Sequence, residues 1–263
     1  QRLEFAGGYR NLSFDTKTRT RAFSTSTGEL ILDQEDDPPS LDTINMGTAS
    51  TALVYDTSIF GGTSPILGRR YRVELAGVGG GLNYYSALLD FRQYIRIAKR
   101  LTLAGRFLHF GRYGGDAEDR RMQDMYIGYP ALIRGYTFGS FEPRECDIGP
   151  NQVGSCPVFE QLLGSKMAVA NVELRIPILG FFGLIPSSGV PPVETAIFFD
   201  AGTAWTNSQT TTFFGGDRSP VTSHGASLRF NIFGFAVGQL SYVHPNDRPL
   251  KSWHWSFSLI PGF

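Results

Sequence analysis

The chain has 263 residues with 24 basic and 24 acidic side chains, so its formal net charge is zero and it lacks the basic footprint of a nucleic-acid binder. Apolar residues reach 41%, and Gly (31) and Phe (21) are abundant while Met (4) and Cys (2) are scarce; this excludes a disordered chain and favours strands with tight turns. No apolar run approaches the ~18 residues of a transmembrane helix, and no leader opens the chain, which starts at Gln1 and reads as a processed product or a fragment.

Hydrophobicity alternates with a period of two. In chain order, strands are expected at 2–14, 19–30, 44–58, 68–79, 82–97, 101–113, 167–178, 192–205, 224–232, 234–244 and 254–263. Within 68–79, Tyr71, Val73 and Leu75 oppose Arg72 and Glu74. Ala87, Leu89, Phe91, Ile95 and Ile97 then oppose Ser86, Asp90, Arg92 and Arg96. Further on, Ala170, Val172, Leu174 and Ile176 oppose Asn171, Glu173 and Arg175. The last strand sets Trp255, Phe257, Leu259, Pro261 and Phe263 against His254, Ser256 and Ser258. Each segment thus carries one apolar and one polar face.

A soluble sandwich shares that pattern, but three features favour an all-β, transmembrane antiparallel β-barrel of about 11–12 strands. The segments are long, where soluble strands average roughly 5–6 residues and membrane strands need ~9–11. Aromatics (Tyr84, Tyr85, Tyr94, Trp205, Tyr242, Trp255) gather near segment ends like an interfacial girdle. Connections also alternate in length: 15–18, 59–67, 98–100, 179–191 and 233 are mostly short, and 31–43, 114–166, 206–223 and 245–253 are longer, with 80–81 the exception. Short turns face the periplasm and long loops the outside, so the last strand descends. Eleven strands would then put residue 1 outside, from which N-terminal strands are expected to be missing. The whole of 1–263 reads as one barrel domain.

The longest connection, 114–166, contains "IRGYTFGSFEPREC" (133–146). Loops of this length in a compact protein are functional or disordered. Its two cysteines, Cys146 and Cys156, either form a disulfide, which implies an oxidising compartment, or are two free thiols. By parity Glu173 and Asp200 face the interior, where a bare carboxylate is costly. A planar guanidinium can satisfy both, which a lysine ammonium cannot do in one plane.

These residues resemble the Omp85 superfamily of outer-membrane barrels. "IRGY" (Ile133, Arg134, Gly135, Tyr136) is similar to the tip of that family's long sixth external loop. "FFDAGTAW" (198–205) resembles its F-x-D-x-G-x-x-W strand motif, and "NVELRIP" (171–177) the strand after the loop. The terminal strand, with Trp255, Phe257, Leu259 and Phe263, resembles the family's last strand. The likeness runs from about residue 50 to 263 and implies the C-terminal part of a 16-stranded barrel. It further implies that the 114–166 loop folds into the lumen, with Arg134 bonded to Asp200 beside Glu173. Tyr136 is expected to pack on small wall residues such as Gly202. Arg134→Ala is expected to leave both carboxylates uncompensated.

Other motifs carry less. "GVGGG" (77–81) lacks the Lys-Ser/Thr and helix of a phosphate loop and reads as a hairpin tip. His109, His224, His244 and His254 have no metal-ligand spacing, and no G-x-S-x-G is present. "LDQEDDPPSLD" (32–42) reads as a solvated acidic loop rather than a calcium site. No cofactor, metal or catalytic residue is expected. The resemblance implies a non-enzymatic barrel that inserts or translocates polypeptides at the outer membrane of a Gram-negative-type bacterium. Its partners would be outer-membrane lipid, client polypeptides and periplasmic accessory subunits. The alternative is a structural or transport barrel for an attached domain, including a patatin-type hydrolase. Periplasmic POTRA domains, which insertases carry, are not in this sequence.

Overall fold

The computed structural model describes residues 1–13, 17–23, 30–36, 43–146, 156–178, 192–216 and 218–261. Alternating sequences here become long strands joined in strict antiparallel order. In chain order the strands begin with β1 (Arg2–Leu12), β2 (Thr18–Phe23), β3 (Leu30–Asp36), β4 (Ile44–Asp56), β5 (Ile59–Phe60) and β6 (Pro65–Gly80). There follow β7 (Tyr84–Ala98), β8 (Leu101–Tyr113), β9 (Met125–Tyr126), β10 (Leu163–Gly164) and β11 (Lys166–Pro177). The last are β12 (Val193–Trp205), β13 (Val221–Ile232), β14 (Ala236–Pro245) and β15 (His254–Pro261). One short helix, α1 (Pro157–Gln161), lies in the long loop.

The main sheet has 11 strands, in the order β1-β4-β6-β7-β8-β11-β12-β13-β14-β15 with β5 paired on β6. Eleven wall strands were expected; ten long strands form the path, and the sheet counts eleven only with the two-residue β5. The segment expected as a second wall strand, 19–30, instead contributes β2 to a separate hairpin with β3. That hairpin is cross-linked by Arg19, which donates two 2.6 Å hydrogen bonds to Asp33. β1 pairs directly with β4 over its whole length, from Arg2/Val54 to Leu12/Ile44. The consequence is topological. With ten long strands in the path and the last descending, β1 ascends, so its first residue lies at the periplasmic end rather than outside as eleven strands implied, and the β2–β3 hairpin stands on the external side.

The two faces have opposite chemistry. Large side chains left exposed on the chain include Phe5, Leu75, Phe91, Ile95, Phe107, Val172, Ile197, Phe199, Trp255, Phe257 and Leu259. These occupy the apolar parity of their strands and form the lipid-facing belt. Tyr84 and Tyr94 do not join the aromatic girdle. Tyr94 is buried on the inner face under the Arg175 guanidinium, 5.5 Å from its ring, and Tyr84 packs against Ile44 and Leu82. His224, His244, Tyr242 and Trp253 do cluster, with ring centroids 5.0–5.4 Å apart, near the external end of β13 and β14. The "GVGGG" segment lies mostly in β6, and the hairpin tip falls one step later, after Gly80 with its φ of 124°.

The apolar core is inside the wall and is shared by the long loop. Tyr126, Ile127, Ile133, Tyr136 and Leu162 from the 114–165 connection pack with Leu108, Val169, Ala204 and Val221 of the wall. The loop therefore fills the interior as a plug. A barrel interior too wide for its own side chains holds either water or a plug, and here the loop takes that place.

Candidate functional site

The sequence around residue 134 folds as a tight inward tip. Gly135 has a φ of 89°, a left-handed conformation that glycine adopts freely, and a side chain there would press on Val243 and Pro245. This turn sends Ile133, Arg134 and Tyr136 into separate parts of the inner wall, and all three are at most 4% exposed.

Arg134 meets Asp200 side-on. Its Nε donates to Oδ2 at 2.7 Å and its Nη2 to Oδ1 at 2.6 Å, while its own backbone N–H donates to Oδ2 at 3.2 Å. The remaining guanidinium nitrogen, Nη1, donates to Glu173 Oε1 at 2.8 Å. The guanidinium plane lies 3.5 Å from the Phe198 ring centroid, a cation–π contact away from water. Burial opposes the charge, but the two carboxylates outweigh it and raise the Arg134 pKa above its ordinary value. Asp200 and Glu173 arrive on neighbouring strands because β11 and β12 pair antiparallel with Asn171 opposite Asp200.

The network extends beyond the expected pair. Glu173 also accepts from Arg229 at 2.6 Å and from Arg175 at 2.8 Å. Arg229 reaches on to Gln239 at 2.7 Å and Glu194 at 3.4 Å, and Glu194 accepts from Ser64 Oγ at 2.8 Å. Three guanidiniums (Arg134, Arg175, Arg229) thus face three carboxylates (Glu173, Glu194, Asp200), which keeps the buried cluster neutral. The expectation that removing Arg134 bares two carboxylates therefore needs correcting. Glu173 would keep two arginines, and only Asp200 would be left, with Asn171 Nδ2 at 2.8 Å as its neutral donor.

Ile133 packs directly on Gly202. A Cβ at Gly202 would lie 2.4 Å from Ile133 Cδ1. Tyr136 goes further across, where its hydroxyl donates to Thr222 O at 2.7 Å and meets Asp247 Oδ2 at 3.0 Å.

Sequence reasoning missed the groups that hold the tip's backbone. Arg106 Nη1 donates to Ala131 O at 2.9 Å, Asn171 Nδ2 to Leu132 O at 2.7 Å, and Arg248 Nη1 to Gly135 O at 3.0 Å. The Tyr126 hydroxyl donates to Tyr136 O. Arg248, from the β14–β15 connection, is itself buried and pairs with Glu145 through bonds of 2.6 and 2.9 Å over the Phe141 ring. The only signal for it in the sequence is an arginine in an external loop, which usually means a solvated one. Cys146 and Cys156 are joined by a disulfide that closes the outer part of the same loop. Trp255, Phe257 and Leu259 point outward on β15, 57–66% exposed, and Phe263 lies outside the described residues.

Comparison with known proteins agrees with this architecture. The Omp85 superfamily domain model matches residues 39–258. The outer membrane protein assembly factor BamA of Neisseria meningitidis serogroup B is 25% identical over 186 residues, covering 65% of this chain and 22% of that protein. The crystal structure of BamA from Haemophilus ducreyi lacking POTRA domains 1–3 superposes with a TM-score of 0.58 at 18% identity, over 85% of this chain and 44% of that one. The chain thus spans less than half the length of either, and the second likeness speaks for the fold. From the family model, the lipid-facing belt and the plugged interior, the chain belongs to the Omp85 superfamily of outer-membrane β-barrels.

Proposed function

We propose that this chain forms the membrane wall of a machine that inserts or translocates polypeptides at the outer membrane, and that Arg134 is the latch holding its plug. The observation that carries the reading is the buried ion network joining the loop tip to β11 and β12. Such a network is expensive to assemble, and removing one member leaves a buried charge short of its partner, which suits a plug with one defined seat. The work would be done at the strand edges. β15 ends the described sheet with one side unpaired. An incoming strand of a client could add to such an edge by backbone hydrogen bonding. No bond-making chemistry is required. Clients and periplasmic accessory subunits are the partners this reading implies.

A photocrosslinking residue at Ser256 or Ser258 of β15, in the full protein with a translating client, tests it. Crosslinks to unfolded client support the reading. Crosslinks to lipid alone, with the barrel intact, would favour an anchoring or display role instead.

A further inference from the structure

The outer wall carries a second concave feature, away from the plug and unused by it. Its floor is one cross-strand row on the lipid-facing parity: Leu89 opposite His109, His109 opposite Ala168, and Ala168 opposite Thr203. Ala168 is the small member, and the wall dips there beside the stacked rings of His109 and Trp205, 5.8 Å apart. The connection after β12 folds back over the dip, bringing Phe214 to 6.2 Å from Trp205. The result is a cavity of about 740 Å³.

Two observations point to its occupant. First, the lining continues the belt of exposed Phe107, Val172 and Phe199, so the cavity opens onto hydrocarbon rather than onto the lumen. Second, its external end is marked by Lys166, whose Nζ is bonded to Asn207 Oδ1 at 2.7 Å and Glu118 at 3.3 Å, with its ammonium 5.4 Å from the Tyr113 ring. Aromatic and cationic groups together mark the headgroup boundary of a bilayer.

We propose that this cavity binds one acyl lipid of the external leaflet. Its chain lies along Leu89, Phe107 and Phe214, with its polar end at the Lys166 and Tyr113 rim. The site is a defined seat on the barrel, distinct from the exchanging lipid annulus, and it locks the 206–220 connection against the wall.

The chain has three tryptophans, so Trp253→Phe with Trp255→Phe leaves only Trp205, inside the cavity. The purified protein in detergent is titrated with a phosphatidylethanolamine brominated on its acyl chain, and Trp205 fluorescence is read. The expected result is quenching that saturates with lipid at a defined half-saturation. Ala168→Phe, which fills the dip, should abolish the saturable part. Should that variant misfold, Phe214→Ala removes the overhang from a loop and should raise half-saturation. Quenching that rises linearly with lipid mole fraction, alike in all variants, would overturn the site and leave only annular contact.

Discussion

At the residue scale, the strongest constraint is the Arg134–Asp200 pair, fully enclosed and bidentate. Arg134→Ala leaves Asp200 buried and charged beside Asn171, so it should destabilise the barrel by about 3 kcal/mol or more. Chemical unfolding in detergent, followed by tryptophan fluorescence, reads the change. Arg134→Lys should recover only part of it, because an ammonium cannot match both oxygens in one plane while reaching Glu173. Asp200→Asn should cost far less in the Arg134→Ala background than alone; additive costs would mean the two groups do not act as a pair. Gly202 gives a second test. Gly202→Ala puts a methyl into Ile133 Cδ1 and should cost about 1–3 kcal/mol by overpacking. Ile133→Val in the same protein should return part of that loss. The motif residues Arg134, Asp200 and Gly202 were legible because each is unusual for its place: an arginine in a glycine turn, a carboxylate and a glycine on an inward strand face. Arg106 and Asn171, which hold the tip's carbonyls, were not legible, since polar inward residues are common in any barrel.

At the scale of elements, the plug is tied to the last hairpin as well as to β11 and β12. Arg248 binds Glu145 and the carbonyls of Gly135 and Ser140. Hydrogen bonds from Arg248, more than its charge, hold the Glu145 carboxyl below its ordinary value of 4.5, against the opposing effect of burial. A carboxyl depressed in the folded state adds stability above its unfolded pKa and loses it as pH falls through the folded value. The clamp should therefore be unchanged from pH 8 to 5 and weaken below about pH 4.5, where the unfolded carboxyl begins to protonate. Limited proteolysis of the 114–165 loop across pH would show it: cleavage should rise on acidification in the parent, and Glu145→Gln should cleave readily at neutral pH with a flatter profile. If the parent and Glu145→Gln give the same profile, another group governs the acid response. Because Arg248 sits next to β15, movement of that strand in the proposed cycle would pull on the plug. This coupling was invisible in the sequence, where Glu145 and Arg248 are over a hundred residues apart and each looks like a solvated loop charge.

At the scale of the whole molecule, the β2–β3 hairpin changes the orientation of everything before β4. A turn at 15–18 would be periplasmic if 19–30 crossed the membrane. With β1 paired directly to β4, residue 17 lies in an external loop. Lys17→Cys should therefore react with a membrane-impermeant maleimide on intact cells, and Lys99→Cys, in the β7–β8 turn, only after the outer membrane is opened. Labelling of Lys99→Cys but not Lys17→Cys on intact cells would invert the assignment of sides.

The sequence alone determined the class of fold, the two chemical faces of each strand and the central ion pair. Period-two alternation is a local property, and a one-residue slip would put every charge into lipid. It also determined that the loop's arginine needs buried carboxylates, since such groups are costly apart. Only the tertiary structure decided which strands pair, because the segments at 19–30 and 44–58 both alternate and backbone pairing does not read side-chain identity. It alone decided that Ile133 meets Gly202, that Arg229 and Arg175 share Glu173, and that Arg248 closes on Glu145. Those contacts depend on how far each side chain reaches across the filled interior, a distance set by the curvature of the sheet and by no single segment of the chain.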